Sequence, residues 1–357
     1  MNKIIKETYK IVTVIIMCCM LITSFNLLNV TAESKDRVIG NDSVTMEQLQ
    51  NIVLDYFKSN HIPYQVGTPE YLSYITEQLL YGTDQGLKKL DCYDMVTAYF
   101  THYKNVYEDA VIKNSLNPKA RMDLINTSLA AESVEAKDFL NTTVGMLRQE
   151  FSDLTQSEES FPILNNEQFS TNSIISSYLP SAAIGYALKW AGNEDSNSSD
   201  YHKSNPNYFY FLGADCTNYV SQCLYAGHIP MSGKPAQPSP DIKESTSKWY
   251  YAEFNQISVL DDCTTSWCKA LDFYKYFCKK VTNYVYTKKT DIIKNCKAGD
   301  VVQFMNKTSG EIYHTVIITQ KSTNSASYCG HTKHRYNTSV TIFNEETNKF
   351  VLMHFVK

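Results

Sequence analysis

The chain has 357 residues, of which 43% are hydrophobic, enough to bury a core and to make one or two domains at roughly 150 residues per domain. Its net charge of −4 gives no basic field of the kind that draws proteins to nucleic acid, so DNA and RNA are set aside as partners. Aromatic residues make up 13%, mostly tyrosine, which suits a packed core and a stacking groove equally well.

The first segment reads as an address. Lys3, Lys6 and Lys10 precede an apolar run from Ile11 to about Leu28, and Val30-Thr31-Ala32 resembles a small-residue cleavage site. Residues 1–32 are therefore expected to be a signal peptide cut after Ala32, with a membrane anchor as the alternative if the segment stays uncleaved. Either way the rest of the chain is expected outside the cytoplasm.

From Ser43 to about Leu154 apolar residues such as Leu49, Ile52, Val53, Tyr56 and Phe57 recur at three- and four-residue spacing, the period of a helix. Ser43, with Glu47 a turn later, is the expected helix start. Pro63, Gly67-Thr68-Pro69 and Asn117-Pro118 divide the region into several helices. A polar stretch follows, so the expected organisation is a helical region over 33–155, a linker over 156–175 and a second domain over 176–357.

In that second domain Ser181 to Ala191 predicts a short helix, Tyr208 to Leu212 a strand-like aromatic run, and Cys216 to Gly227 a helix closed by a left-handed glycine. Another helix is expected over Trp267 to Lys280. The period then changes. Asp300 to Met305, Tyr313 to Thr319, Ser339 to Asn344 and Phe350 to Val356 predict β-strands, with Lys307-Thr308-Ser309-Gly310 as a turn. The fold class expected is α+β, helices first and an antiparallel sheet after.

Chemistry concentrates at Asp215-Cys216-Thr217-Asn218, where a loop meets a helix. A thiol there faces the positive end of the helix dipole, which favours the thiolate, and thiolate is the attacking species. Cys216 is the nucleophile candidate. A general base must then come within hydrogen-bond reach, and His314 stands in a predicted strand soon after Gly299-Asp300-Val301-Val302. A third polar group should orient that imidazole, and the stretch from Gly330 to Asn337 offers His331, His334 and Asn337, which spacing does not rank. Of the ten cysteines, Cys18 and Cys19 lie in the leader and eight remain, an even number that invites disulfides in an exported protein; one catalytic thiol leaves the rest odd. No CxxC pair supports a zinc site, and neither metal nor cofactor is expected.

The run from Gly213 to Gly227, GADCTNYVSQCLYAG, resembles the signature of the putative amidase domain family of Gram-positive bacteria, which sits with NlpC-type and CHAP amidopeptidases in the papain-like superfamily. Ala183, Tyr186-Ala187, Asn205-Pro206, Tyr208, Trp249-Tyr250-Tyr251, Ser266-Trp267, Gly299 to Phe304, His314 and His331-Thr332 follow in the matching order, over roughly residues 175 to 355. The resemblance implies a papain-like domain with Cys216 as nucleophile, His314 as base and His331 as orienting residue. Asp215, Asn218, Ser221 and Gln222 match the motif and are expected to support it, by capping the helix and bonding within its first turns. Leu179-Pro180, His228 and His334 depart from the pattern around the groove, which bears on substrate preference. The implied activity is hydrolysis of amide bonds, with peptidoglycan as the substrate class and secretion or cell-surface display as the setting. The alternative from another class is a non-catalytic wall-binding or adhesion protein on the same fold.

Overall fold

The computed structural model describes residues 42–114, 134–152, 175–192, 203–238, 241–252 and 262–356. The expected signal peptide and nearly all of the expected linker lie outside the described residues. Among those described, no helix is long and apolar enough to cross a membrane.

Among the described residues five α-helices come first: α1 (Met46–Ser59), α2 (Pro69–Tyr81), α3 (Tyr93–Asn114), α4 (Val134–Asn141) and α5 (Val144–Glu150). The start of α1 is a correction. Thr45, not Ser43, is its cap: its hydroxyl accepts from Gln48 N–H while the Gln48 side chain accepts from Thr45 N–H, a reciprocal pair that satisfies two orphan donors. Glutamine at the third helical position is what makes the reciprocal bond, and Ser43 has no such partner three residues on. The Gly67-Thr68-Pro69 break works as predicted, with Thr68 capping α2 and Pro69 in its first turn.

The later elements among the described residues are α6 (Pro180–Trp190), α7 (Cys216–Ala226), α8 (Thr265–Cys268), α9 (Ala270–Phe277) and α10 (Lys289–Asn295), with nine strands. β1 (Ile242–Lys243), β2 (Tyr251–Ala252) and β3 (Asp262–Thr264) form a small sheet in the order β1-β3-β2. β4 (Thr282–Tyr286), β5 (Val301–Asn306), β6 (Ile312–Lys321), β7 (Ala326–Gly330), β8 (Arg335–Ser339) and β9 (Asn348–His354) form an antiparallel sheet in the order β4-β9-β5-β6-β7-β8. The architecture is α+β. All six residues of β5 are buried, as befits a central strand covered on both faces.

Three expectations are corrected here. Tyr208 to Leu212 is not a strand: Phe209 N–H donates to the Tyr251 hydroxyl, Phe211 N–H to Asp215 Oδ1, and Phe209 carbonyl accepts from Asn218. Side chains take the backbone groups that a ladder would need. Ser339 to Asn344 is likewise no strand, since the pairing ends at Ser339 and a 3-10 turn over Val340–Ile342 follows. Gly227 does close α7 but at φ −78, and His228 takes the left-handed angle at φ 69. Glycine is required there for space, because a Cβ would lie 2.6 Å from the Tyr178 ring and 2.9 Å from Ala183 Cβ.

The expected boundary between helical region and sheet domain does not divide the core. One apolar cluster runs from Val44 to Phe355. Asn348 donates to Leu79 carbonyl, Asn344 N–H to Leu80 carbonyl, and Asn306 to the Thr97 hydroxyl, so α2 and α3 are stitched to the ends of β5 and β9. Asp109 of α3 pairs with Lys269 at the start of α9 at 2.6 Å.

Candidate active site

Cys216 is the first residue of α7, a helix buried along its first nine residues because it packs into the sheet. The small and polar residues of its sequence serve as anchors. Ser221 donates to Trp267 carbonyl and accepts from Trp249 Nε1; Asn218 accepts from Trp267 Nε1 and donates to Asp215. Gln222 accepts from the Tyr186 hydroxyl at 2.7 Å, and Tyr186 in turn accepts from Asn205. These motif residues thus lock α7 against α6, α8 and the aromatic loop before it. Asp215 occupies the cap position, but its side chain caps no backbone N–H of the helix. Its carboxylate faces outward from the first turn, accepting from Phe211 N–H and Asn218 through Oδ1 and meeting His331 through Oδ2.

The Cys216 side chain is 1% exposed, its sulfur 3.7 Å from the Thr217 hydroxyl. That hydroxyl lies 3.0 Å from Thr315 Oγ1 on β6, which accepts from Gln303, which in turn donates to Ala270 carbonyl. Burial pushes the thiol up to about 11, Glu108 adds to the rise, and Lys104, the Thr217 hydroxyl and the Thr315 backbone oppose it. The expected thiolate is therefore corrected for this structure: desolvation outweighs the helix terminus, and Cys216 is a thiol at neutral pH.

His314 lies in β6 beside the residue that touches the sulfur. Thr315 is turned toward α7, so its neighbour His314 is turned to the other side, where it shares a face with its cross-strand partner Phe304 at 5.4 Å between ring centroids. Its Nδ1 is buried with no hydrogen-bond partner. Burial, and then the Lys104 charge, hold its pKa well below the ordinary histidine range, so the ring is neutral. No hydrogen bond joins it to Cys216 among the described residues.

His331, just beyond β7, has both ring nitrogens committed: Nδ1 to Asp215 Oδ2 at 2.6 Å and Nε2 to Trp190 carbonyl at 2.6 Å. A carbonyl only accepts, so Nε2 is the donor to Trp190 and Nδ1 is the atom that meets the Asp215 carboxylate. The ring stacks on Tyr219 with centroids 4.0 Å apart. His331 thus braces the start of α7 rather than orienting His314. The two alternatives are also engaged elsewhere, His334 with Tyr210 and Ala191 carbonyl, Asn337 with Thr319. The structure brings Asp215, Cys216, Asn218 and His331 together and keeps the His314 imidazole turned away.

Sequence reasoning missed Lys104 and Glu108. They are an i,i+4 ion pair in α3, both buried, and Lys104 also donates to Tyr313 carbonyl at 2.9 Å. On a helix this spacing reads as a solvated face, and nothing in the local pattern reveals a strand hairpin lying across it. All eight cysteines among the described residues are free, so the disulfide expectation is not met. Among the described residues no group of three metal-ligating side chains gathers.

An α+β domain with a buried cysteine opening its central helix is the class that this geometry defines. Residues 177–354 match the profile of a family described as "Putative amidase domain", a description that points to hydrolysis of amide bonds. A curated relative, "Uncharacterized protein YjcM" of Bacillus subtilis (strain 168), is 25% identical over 220 residues, covering 58% of this chain. The chain spans 45% of that relative's length. No solved structure gives a significant match.

Proposed function

We propose that the protein is an exported cysteine hydrolase that cleaves amide bonds in peptidoglycan, with Cys216 as nucleophile, His314 as base and His331 as the third member. The observation that carries the reading is the position of Cys216 at the first turn of α7, inside the segment that matches an amidase family. His314 takes the thiol proton, the sulfur adds to the amide carbonyl, and the Cys216 backbone N–H holds the oxyanion that forms. The imidazolium then protonates the leaving amine as the C–N bond breaks, and water hydrolyses the thioester. The step requires the His314 imidazole to turn to the Thr315 side of β6. Catalytic hydrogen bonds often tighten only when substrate binds, and the strand register shifts between Phe304 and Met305, next to His314. In this reading His331 acts through Asp215 and the start of α7.

A second reading, a non-catalytic wall-binding protein, is favoured by one observation: the thiol is 1% exposed and raised to about 11. Digestion of purified peptidoglycan by wild type and Cys216→Ala, with mass spectrometry of the fragments, separates the two. New amine termini released by wild type and absent with Cys216→Ala are expected; binding without cleavage by both proteins sinks the enzyme reading.

A further inference from the structure

The helices before residue 177 lie outside the family match, yet α3 reaches the candidate site. Lys104 is fully buried, and its ammonium donates to Tyr313 carbonyl, the peptide that leads into His314. A buried ammonium is costly unless it is paired and hydrogen-bonded, and here the Glu108 carboxylate and the Tyr313 carbonyl take two of its three donors. The same helix is fastened to this hairpin by His102 and Asn105, both on Glu311 Oε1 at 3.0 and 3.2 Å, and to the start of α9 by Asp109 on Lys269. Its placement against β6 is therefore fixed at several points, and the register of Lys104 with it.

From this juxtaposition we infer that Lys104, with Glu108 as its counter-ion, is a positioning residue of the Cys216 centre: it holds the Tyr313–His314 peptide and sets the charge beside the sulfur. The inference rests on the cysteine-hydrolase reading for its kinetic arm alone. The charged and titratable groups facing the pair are Cys216 and His314 across the site, Tyr313 on β6, Asp109 on α3 and Lys269 before α9. Glu108 pushes the thiol up and Lys104 pulls it down, so the two are separable by substitution. The helical region then completes the site of the amidase segment instead of serving as a detachable arm.

The test uses the full chain in two arms. In the first, iodoacetamide labelling of Cys216 is followed against pH by mass spectrometry. Glu108→Gln is expected to move the profile to lower pH, and labelling at a fixed pH should become roughly tenfold faster for every pH unit the profile moves. Lys104→Met is expected to leave it unmoved or move it upward. In the second arm, Lys104→Met lowers kcat on peptidoglycan at unchanged KM, and Lys104→Arg restores most of it. The double variant Lys104→Met/Glu108→Gln, an uncharged pair of similar volume, serves if the single Lys104 variant does not fold, and it should also lose kcat. Identical labelling profiles in Glu108→Gln and wild type, or wild-type kcat in folded Lys104→Met or in the double variant, overturns the inference. Absence of hydrolysis by wild type would instead count against the enzyme reading, because the labelling arm needs no activity.

Discussion

Asp215 and His331, 116 residues apart in sequence, meet at 2.6 Å in the interior and tie the start of α7 to the turn beyond β7. Both side chains are only 2% exposed, and every polar atom of the pair that faces protein has a partner. Cutting such a pair leaves a buried polar group alone.

His331→Ala should therefore cost about 3–5 kcal/mol, the range for breaking a buried pair from one side. Denaturant unfolding measures it; a loss under about 1 kcal/mol, the scale of an exposed pair, would show the contact to be dispensable. Asp215→Asn keeps the shape and loses the charge, so a smaller loss is expected.

Cys216 offers a pH signature. Its folded pKa lies above that of the unfolded thiol, so unfolding releases the proton at lower pH than the native state does. The sign is a loss of stability as pH rises from the ordinary thiol range toward about 11, with the contribution intact below it. Unfolding curves of wild type and Cys216→Ser at pH 8 and pH 10, on the order of one unit either side of the ordinary thiol value, are expected to converge at the higher pH. A constant gap between them would contradict the buried-thiol account.

In the resting state Cys216 should be a poor target for iodoacetamide near neutral pH. Labelling at pH 7 is expected to be slower in the native protein than in the urea-unfolded chain, since burial removes both the thiolate and access. Selective fast labelling of native Cys216 would mean that an open form is well populated.

Gly227→Ala tests the packing of α6 on α7. The new methyl would meet the Tyr178 ring and Ala183, neither of which has room to retreat in a buried contact. A loss of about 1–3 kcal/mol is expected from overpacking, read as a fall in the thermal midpoint. A neutral result would show that Tyr178 rotates away, along with its hydrogen bond to Gly299 carbonyl.

Thr315→Val replaces a hydroxyl that sits between Thr217 and Gln303. Gln303 Oε1 already lacks a partner, so removing the Thr315 oxygen leaves its amide still less satisfied. A loss of about 1–3 kcal/mol follows from an unmade buried hydrogen bond, and denaturant unfolding of the variant measures it.

Local chemistry determined what was legible in the sequence. Helical spacing located α1, the Thr68-Pro69 pair placed the start of α2, and alternation located β5, β6 and β9, because each signal is carried by residues within a few positions of one another. The motif around Cys216 identified the helix that opens on the thiol; its Ser221 and Gln222 bond to Trp267 and Tyr186 outside that helix, partners that only the fold supplies. Tertiary structure decided the rest. Whether Cys216 is thiol or thiolate depends on how much water the surrounding elements exclude, and which way His314 points depends on a register set by pairing with β5. Lys104 reaches the Tyr313 carbonyl, and its pair with Glu108 bears on the Cys216 thiol, only because α3 is fastened across a hairpin at a sequence separation of 209. Dielectric, register and long-range docking belong to the folded whole, so no local pattern encodes them.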